Sequence, residues 1–304
     1  MSRPRVIDYE GSNYSTDFWT PAREYEDRAE RIALRALLPQ AGSRLIEIGA
    51  GAGRLGGLYL GYAEIVLMDY ARSTVLEARG RWGHDPRFKF VAADVYRLPF
   101  AEAAFDAAVM VRVMHHLVDV PKALRQIAGT IQAGGTFVVE FANKRNLKSM
   151  LRYALRRQTW SPHTHEPVEF VELNFDFHPA WMRQRIREAG FDIRQQRSAS
   201  FFRLGALKRL LGAKTLAVMD GALQRPLAPF ALAPSQFLKC KVPGVKGGVQ
   251  AAGLFKCPRC GATEWDAAPE QLVCANGHRW SVRDGVYDFR GMKDEPPPLR
   301  GEGK

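Results

Sequence analysis

The sequence predicts a doubly wound α/β fold with a mostly parallel central sheet, followed by a small cysteine-containing module. Three observations support this prediction. Short apolar segments alternate with helical patterns in the first half of the chain, a glycine-rich loop follows the first strand, and three of the four cysteines lie within residues 257–274. Continuous apolar strands are typical of a parallel sheet that is buried on both faces.

The first helix begins at Thr20-Pro21, because a capping residue followed by proline favours a helix start, and its apolar spacing continues to Leu38. Strands and helices then alternate. The expected strands are residues 44–48, 64–69, 88–93, 105–111 and 135–141, and the expected helices are residues 54–61, 72–79 and 121–131. Later elements are a helix from Pro179 to Gly190, strands at 191–197 and 236–242, and a mainly helical segment at 201–234.

The net charge of 44 − 32 = +12 lies in the middle of the chain. Residues 144–248 contain 19 Lys/Arg and 7 Asp/Glu, and the flanking segments are balanced. Such a segment is consistent with an anionic partner and equally with ordinary solvated surface. The apolar stretches fall far short of the roughly 18–20 residues that span a bilayer, and the start of the chain lacks a signal sequence. We therefore expect a cytoplasmic protein without stable membrane insertion.

The segment Glu47-Ile-Gly49-Ala-Gly51-Ala-Gly53 joins the first strand to the next element. Glycines allow the backbone to turn tightly and to approach a ligand closely. Asp69 ends the second strand, where a carboxylate can bind the ribose hydroxyls of a nucleoside, and Asp94 follows the third strand, near an adenine edge. An NAD oxidoreductase is disfavoured, because Arg54 occupies the position where the dinucleotide pattern requires glycine.

Over residues 20–242, this E-x-G-x-G-x-G loop, the two aspartates and the segment from Val111 to Leu117 resemble the class I S-adenosylmethionine-dependent methyltransferases. The resemblance implies a Rossmann-like, seven-stranded sheet whose last strand is antiparallel. It also implies S-adenosylmethionine as the cofactor. By position, Glu47 would lie near the methionine amino group, Gly49, Gly51 and Gly53 would flank the amino acid and sulfonium, Asp69 would bind the ribose, Asp94 and Val95 the adenine, and Arg112 would line the cofactor floor.

Methyl transfer mainly requires alignment of the reacting atoms, and a base is needed only if the nucleophile carries a proton. The candidate bases or substrate contacts are His115, His116, His163, His165 and His178. The first two belong to the strand-end segment, and the other three lie near predicted substrate-cap insertions at residues 144–176 and 198–234. These insertions belong to a methyltransferase domain of residues 1–242. Tyr9, Tyr14 and Trp19 form either an N-terminal lid or ordinary packing.

Cys257, Cys260, Cys274 and His278 predict a structural zinc site in a ribbon of residues 254–290. Their spacing gives a closed Cys₃His set, and so small a module needs a metal to fold. Metal-free, reduced cysteines are the alternative. Residues 243–253 are the predicted linker, and residues 291–304 a disordered tail. The ribbon resembles those of bacterial rRNA guanine-N1 methyltransferases, which carry it at the N-terminus, and those of small methyltransferase activators. This implies RNA or a protein as its partner.

Three functions follow from these features. The favoured one is methylation of a small-molecule or lipid-like acceptor, including an anionic one, because residues 201–211 combine an apolar stripe with basic neighbours. Such a stripe is more typical of an internal cap helix than of a membrane-surface helix. The alternatives are an RNA base methyltransferase that uses the basic segment 144–248, and a non-catalytic protein that binds S-adenosylmethionine and recruits a partner through the ribbon.

Overall fold

The computed structural model describes residues 4–11, 20–245 and 253–291 of the chain. The helices in these ranges are α1 (Glu24–Leu37), α2 (Arg72–Trp82), α3 (Val120–Thr130), α4 (Leu147–Ala154), α5 (Pro179–Glu188) and α6 (Gly205–Leu223). The strands up to residue 245 are β1 (Gly42–Ile48), β2 (Tyr62–Asp69), β3 (Phe88–Ala92), β4 (Phe105–Met110), β5 (Ile131–Ala142), β6 (Val168–Val171), β7 (Asn174–Asp176), β8 (Asp192–Ala199) and β9 (Ser235–Lys241). The last two strands follow as predicted.

Seven of these strands form the predicted Rossmann-like sheet, in the order β3-β2-β1-β4-β5-β9-β8. Pairing is parallel from β3 to β5, whereas β9 runs antiparallel to both β5 and β8. The expected fold class and its antiparallel final strand are therefore confirmed. Strand order reverses between β1 and β4, and in such sheets ligands bind at the carboxyl ends of the strands near that reversal.

Both faces of the sheet are buried, as the continuous apolar strands predict. Ile46 of β1 belongs to an apolar layer that includes Leu124 of α3 and Met182 of α5. Its neighbour Leu45 belongs to the layer on the opposite face, which includes Leu34 of α1. Because successive residues of a strand point to opposite faces, one short apolar segment contributes to both layers.

The helix expected at residues 54–61 is wrong, because the structure has only a short 3₁₀ turn there, Gly56–Leu58. Trp82 of α2 occupies the space beside this turn. Its indole N–H donates a hydrogen bond to the Gly53 carbonyl at 2.8 Å, and a Cβ on Gly56 would lie 2.6 Å from the indole nitrogen. Glycine is also a poor helix former. The segment is therefore held as a turn under the Trp82 ring.

The chain beyond β5 builds the region predicted to cap a substrate. It contains α4, the β6–β7 hairpin and the predicted helix in residues 201–234, which is α6. Lys144 is fully buried and holds the segment that precedes the β6–β7 hairpin. Its ammonium group donates to the Thr164 hydroxyl at 3.0 Å and to the Glu166 carbonyl at 2.7 Å. Whether this region caps a substrate stays a prediction.

The apolar stripe at residues 201–211 is only partly internal. Phe202 and Leu207 pack against a small cluster that contains Tyr25 of α1. Leu204 and Leu210, however, are 65% and 79% exposed. The expectation of an internal helix is therefore wrong for these two leucines, because α6 lies on α1 along one face only.

The C-terminal module continues the central sheet. Its strands are β10 (Trp265–Ala268), β11 (Gln271–Cys274), β12 (Arg279–Arg283) and β13 (Val286–Asp288). β13 pairs in parallel with β3, so the sheet has eleven strands in total. Phe255 packs between the two parts of the chain. Its ring centroid lies 5.9 Å from that of Phe100 in the first part and 5.1 Å from that of Phe289 in the C-terminal module.

In the ranges that the structure describes, no helix has the length and hydropathy that a bilayer crossing requires. Four features predicted from the sequence fall wholly or partly outside those ranges. Tyr14, Trp19, residues 246–252 of the expected linker and residues 292–304 of the expected tail lie outside the described residues.

Candidate functional site

A cavity of about 210 Å³ opens at the carboxyl ends of β1, β2 and β4. Its floor contains the glycine loop, and Val6, Ile7 and Tyr9 of the N-terminal segment form part of its wall. Of the residues predicted to bind the cofactor, six line this cavity: Glu47, Gly49, Gly51, Asp69, Val95 and Arg112. Gly53 and Asp94 are not among its lining residues.

The glycine loop has the backbone geometry that its composition predicts. Gly49 has a φ of +74°, and its N–H donates to the Met68 carbonyl of β2 at 2.8 Å. A Cβ at this position would lie 2.0 Å from a methyl group of Val113. Gly51 has a φ of +51° and has open space where a side chain would stand. The loop therefore presents bare backbone to the cavity.

The two predicted aspartates have different surroundings. One oxygen of Asp69 accepts the Gly51 N–H at 2.8 Å, and the other accepts the Ala71 N–H at 3.1 Å. Burial raises the pKa of Asp69 although these N–H groups oppose the shift. Asp94 is buried and accepts the Tyr96 N–H at 2.9 Å, so it closes the turn after β3. That turn places Val95, rather than Asp94, at the cavity.

Glu47 is the most desolvated carboxyl group that borders the cavity. Its side chain is buried and interacts with the Tyr59 hydroxyl. Burial raises its pKa to about 8, partly offset by the guanidinium of Arg54.

An ion-pair network beneath the cavity is the main feature that the sequence did not indicate. Glu30 of α1 is fully buried and accepts hydrogen bonds from Arg112 at 2.7 Å and from Arg54 at 2.9 Å. Burial opposes its charge, but the two guanidinium groups hold the pKa of Glu30 below its ordinary value. Arg112 has a φ of +60°, and its N–H donates to Glu140 at 2.9 Å. Acidic residues in the first turns of α1 were the only sequence signal.

The N-terminal segment is held at Glu10 by two other parts of the chain. The carboxylate of Glu10 accepts the backbone N–H groups of Arg72 and Ser73, at 2.8 and 3.1 Å, at the start of α2. It also accepts a hydrogen bond from Arg290 of the C-terminal module at 2.7 Å. Of the predicted lid residues, Tyr9 lines the cavity.

His116 is the one predicted histidine that lines this cavity. Its Nδ1 lies 3.2 Å from the Leu173 carbonyl, which can only accept, so Nδ1 carries the proton. Nε2 therefore accepts the hydroxyl hydrogen of Tyr9 at 3.3 Å. Burial lowers the pKa of His116, which favours this neutral form.

The other predicted histidines are placed differently. The ring of His115 lies 4.0 Å from that of His116, and burial holds its pKa well below the ordinary value. His178 caps α5 by accepting the Ala180 N–H at 3.2 Å, and His165 stacks on its ring at 4.6 Å. His163 is exposed. None of these four is among the lining residues of the cavity.

The four predicted metal ligands come together in the C-terminal module. The ligand atoms of Cys257, Cys260, Cys274 and His278 all lie within 4.8 Å of one another. Two of these distances are 3.7 Å between the Cys260 and Cys274 sulfurs and 3.4 Å between Cys274 Sγ and His278 Nδ1. A tetrahedral zinc site with Zn–S of about 2.3 Å has edges of about 3.5–3.8 Å. The arrangement therefore fits zinc.

Residues 46–139 match a family model described as a methyltransferase domain. A demethylmenaquinone methyltransferase of Clavibacter sepedonicus is 31% identical over 115 residues, covering 37% of this chain and 47% of the relative. The O-methyltransferase cnsE of Penicillium expansum is 28% identical over 147 residues, covering 44% and 52%. The chain thus spans about half the length of these relatives.

Two solved structures have a similar fold. An S-adenosylmethionine-dependent methyltransferase from Mesorhizobium loti aligns with a TM-score of 0.53 at 20% identity, over 71% of this chain and 99% of that one. A chain from the complex between the Haloferax volcanii Trm112 methyltransferase activator and a methyltransferase aligns with a TM-score of 0.51 at 17% identity, over 73% and 94%. At these identities the similarity shows the fold alone.

Proposed function

We propose that this chain, which contains a class I S-adenosylmethionine-dependent methyltransferase domain, transfers the methyl group of that cofactor to a small-molecule or lipid-like acceptor. The observation that carries the proposal is the cavity itself. It combines bare glycine backbone, the carboxylate of Asp69 at the end of β2 and the buried carboxyl group of Glu47.

The residues present fit the cofactor. Asp69 holds the glycine loop through the Gly51 N–H and stands at the strand end where a ribose is bound. Glu47, whose buried side chain borders the cavity, would lie near the methionine ammonium group. When bound, S-adenosylmethionine supplies a methyl group on a positively charged sulfur. The part of the protein is to align the acceptor with that methyl group and to exclude water.

His116 is the best-placed base for an acceptor that carries a proton. It lines the cavity, it is held in the tautomer with Nε2 as acceptor, and its lowered pKa leaves it neutral at physiological pH. An acceptor hydroxyl in the position of the Tyr9 hydroxyl would donate to the same nitrogen. His116 would thus accept the proton as the methyl group is transferred.

The acceptor class follows from the cavity lining and from the relatives. Val6, Ile7, Val113 and Leu117 give one part of the lining an apolar character. The relatives named above include a demethylmenaquinone methyltransferase, whose name gives a demethylmenaquinone as its acceptor, and an O-methyltransferase, whose name gives oxygen as the acceptor atom. An apolar acceptor that carries a hydroxyl group is compatible with the lining and with both names.

The test uses S-adenosylmethionine labelled in its methyl group, incubated with the full chain and a host extract that is then separated into RNA, protein and organic-soluble fractions. We expect label in the organic-soluble fraction, and no label with Asp69→Ala, which loses the loop contact. Label that disappears on ribonuclease treatment would replace this proposal by RNA methylation, for which the surplus of cations in residues 144–248 is the supporting observation. Cofactor binding with no labelled fraction would support a non-catalytic role.

The role of His116 has a separate test. His116→Asn should retain cofactor binding and lower kcat by about 100- to 10,000-fold, because asparagine cannot accept the proton. His84→Asn, at an exposed histidine outside the cavity, is the matched control. An unchanged kcat in His116→Asn would mean that the acceptor reacts without a base.

We also propose that the C-terminal cluster binds structural zinc through Cys257, Cys260, Cys274 and His278. Four protein ligands leave no open position, so the metal has no part in the chemistry. Mass spectrometry under native conditions should show one zinc ion per chain, lost in Cys274→Ser.

A further inference from the structure

Helix α4 exposes two parallel stripes of side chains. Leu147, Leu151 and Leu155 recur every four residues and are 50%, 54% and 63% exposed. The residue directly after each leucine is basic and also exposed: Lys148, Arg152 and Arg156. Residues four apart lie on the same side of a helix, so Leu147 and Leu151 form an apolar stripe beside the basic pair Lys148 and Arg152. Leu155 and Arg156 follow directly after the helix end at Ala154 and extend this surface.

This surface lies at the edge of the sheet where the cavity opens. α4 follows the carboxyl end of β5, and the Leu147 N–H donates to the Leu232 carbonyl at 2.9 Å. That contact brings α4 beside Phe230, which is 59% exposed, and Arg145 donates to the Phe230 carbonyl at 3.4 Å. The apolar surface therefore extends beyond the helix and keeps a basic border.

The charge of this region is of one sign. Residues 144–161 contain six Lys or Arg and no Asp or Glu. Lys148, Arg152 and Arg156 form no ion pair with any residue that the structure describes. Cations beside exposed leucines match a partner that offers both negative charge and hydrocarbon.

We propose that α4 and Phe230 dock the protein on the surface of an anionic lipid bilayer, with the helix lying in the plane of the interface. The proposal rests on the proposed function and narrows it, because it places the cavity edge beside the source of a lipid-like acceptor. RNA fits less well. It would use the cations, but three exposed leucines offer nothing to a phosphate backbone, and base recognition relies on aromatic or polar side chains.

The test is co-sedimentation of the full chain with vesicles, without cofactor or acceptor. One set of vesicles is phosphatidylcholine, and the other is an equal mixture of phosphatidylcholine and phosphatidylglycerol. We expect binding to the mixed vesicles only, weakened by salt. Lys148→Gln/Arg152→Gln and Leu151→Ser/Leu155→Ser should each lower the partition by at least about tenfold.

Matched controls are Arg35→Gln/Arg279→Gln, at exposed cations elsewhere, and Leu60→Ser, at a leucine that is 44% exposed outside α4. Both should bind like the unchanged chain. No binding to the mixed vesicles, or equal loss in the controls, would overturn the proposal. Retention of total RNA that depends on the cations but not on the leucines, without vesicle binding, would identify an RNA surface instead.

The two proposals fail separately. Vesicle binding needs neither cofactor nor acceptor, whereas the labelling assay uses solubilised extract and needs no membrane. Organic-soluble label without vesicle binding would leave the methyltransferase proposal standing and remove the docking surface. Vesicle binding without label would leave the docking surface standing and remove the proposed methyl transfer to a lipid-like acceptor.

Discussion

At the scale of single residues, Glu30 joins the end of the glycine loop to the strand-end segment. It contacts both Arg54 and Arg112, and both arginines line the cavity. Glu30→Gln removes the buried negative charge that these two guanidinium groups share, although Arg54 keeps its ion pair with Asp27. We expect the free energy of unfolding to fall by about 3 kcal/mol, because breaking one side of a buried ion pair costs about that much, and cofactor affinity to fall with it.

The pH dependence of stability provides an independent check on Glu30. Its folded-state pKa lies below the ordinary value of 4.5, so its contribution is complete above that pH and is lost as the pH falls through the folded-state pKa. Urea unfolding should therefore show a clear difference in the free energy of unfolding between the unchanged chain and Glu30→Gln at neutral pH. That difference should become small below pH 4.5. Glu24→Gln, at an exposed Glu that pairs with Arg28, should change neither. An equal difference between the two free energies of unfolding at both pH values would show that Glu30 is not ionised in the folded protein.

The residues that could be predicted are those whose role is local. Gly49 and Gly51 are needed by the backbone of one loop, and Asp69 stands at the end of one strand, so neighbouring sequence is sufficient evidence for each. The Glu30 network could not be predicted, because it joins three elements that are distant in the chain. Asp94 shows the intermediate case, since its position was evident but its use as a turn cap depends on the Tyr96 N–H.

At the scale of elements, Trp82 explains why a glycine-containing segment is a turn where a helix was expected. Gly56→Ala would normally favour a helix, but here the new methyl group would lie 2.6 Å from the indole nitrogen. We expect a loss of about 1–3 kcal/mol in the free energy of unfolding, as for other overpacked sites. Gly80→Ala is the matched change, because Gly80 lies within α2 and a methyl group added there would have no neighbouring atom within 4 Å.

Gly80→Ala should stabilise the protein by about 0.5–1 kcal/mol, because alanine has the higher helix propensity. Urea midpoints of the two variants should thus move in opposite directions. Stabilisation by Gly56→Ala would mean that the segment can become helical despite Trp82. The strands were predictable because burial on both faces leaves a continuous apolar pattern. The absence of a helix at residues 54–61 was not, because it depends on the ring of Trp82, which is distant in the sequence.

At the scale of the whole molecule, the junction of the two parts had no sequence signal. β13 adds to β3 through main-chain hydrogen bonds, which any sequence with an open edge can form. The cluster of Cys257, Cys260, Cys274 and His278 was predictable from the spacing, because a tight turn must bring Cys257 and Cys260 together. Where the ribbon would attach was not, since Phe255 and Phe100 pack across a long sequence separation.

This junction links the metal cluster to the cavity through Arg290. Its guanidinium holds Glu10, and Glu10 holds the start of α2, so the N-terminal segment rests partly on the ribbon. Arg290→Gln should weaken cofactor binding by at most about fivefold, since an ion pair with an exposed partner contributes about 0.2–1 kcal/mol. Arg279→Gln, at an exposed ribbon cation, is the control, and calorimetric titration is the measurement.

Removal of zinc tests the same link from the other end. Because a small module depends on its metal to fold, chelation or Cys257→Ser should loosen β13 from β3 and release Arg290. The melting temperature and cofactor affinity should then fall together, and Arg290→Gln should add little once the metal is gone. Cofactor affinity that survives complete loss of zinc would show that the N-terminal segment holds its place without the ribbon. The two effects would be additive in that case, because independent sites contribute separately to the free energy.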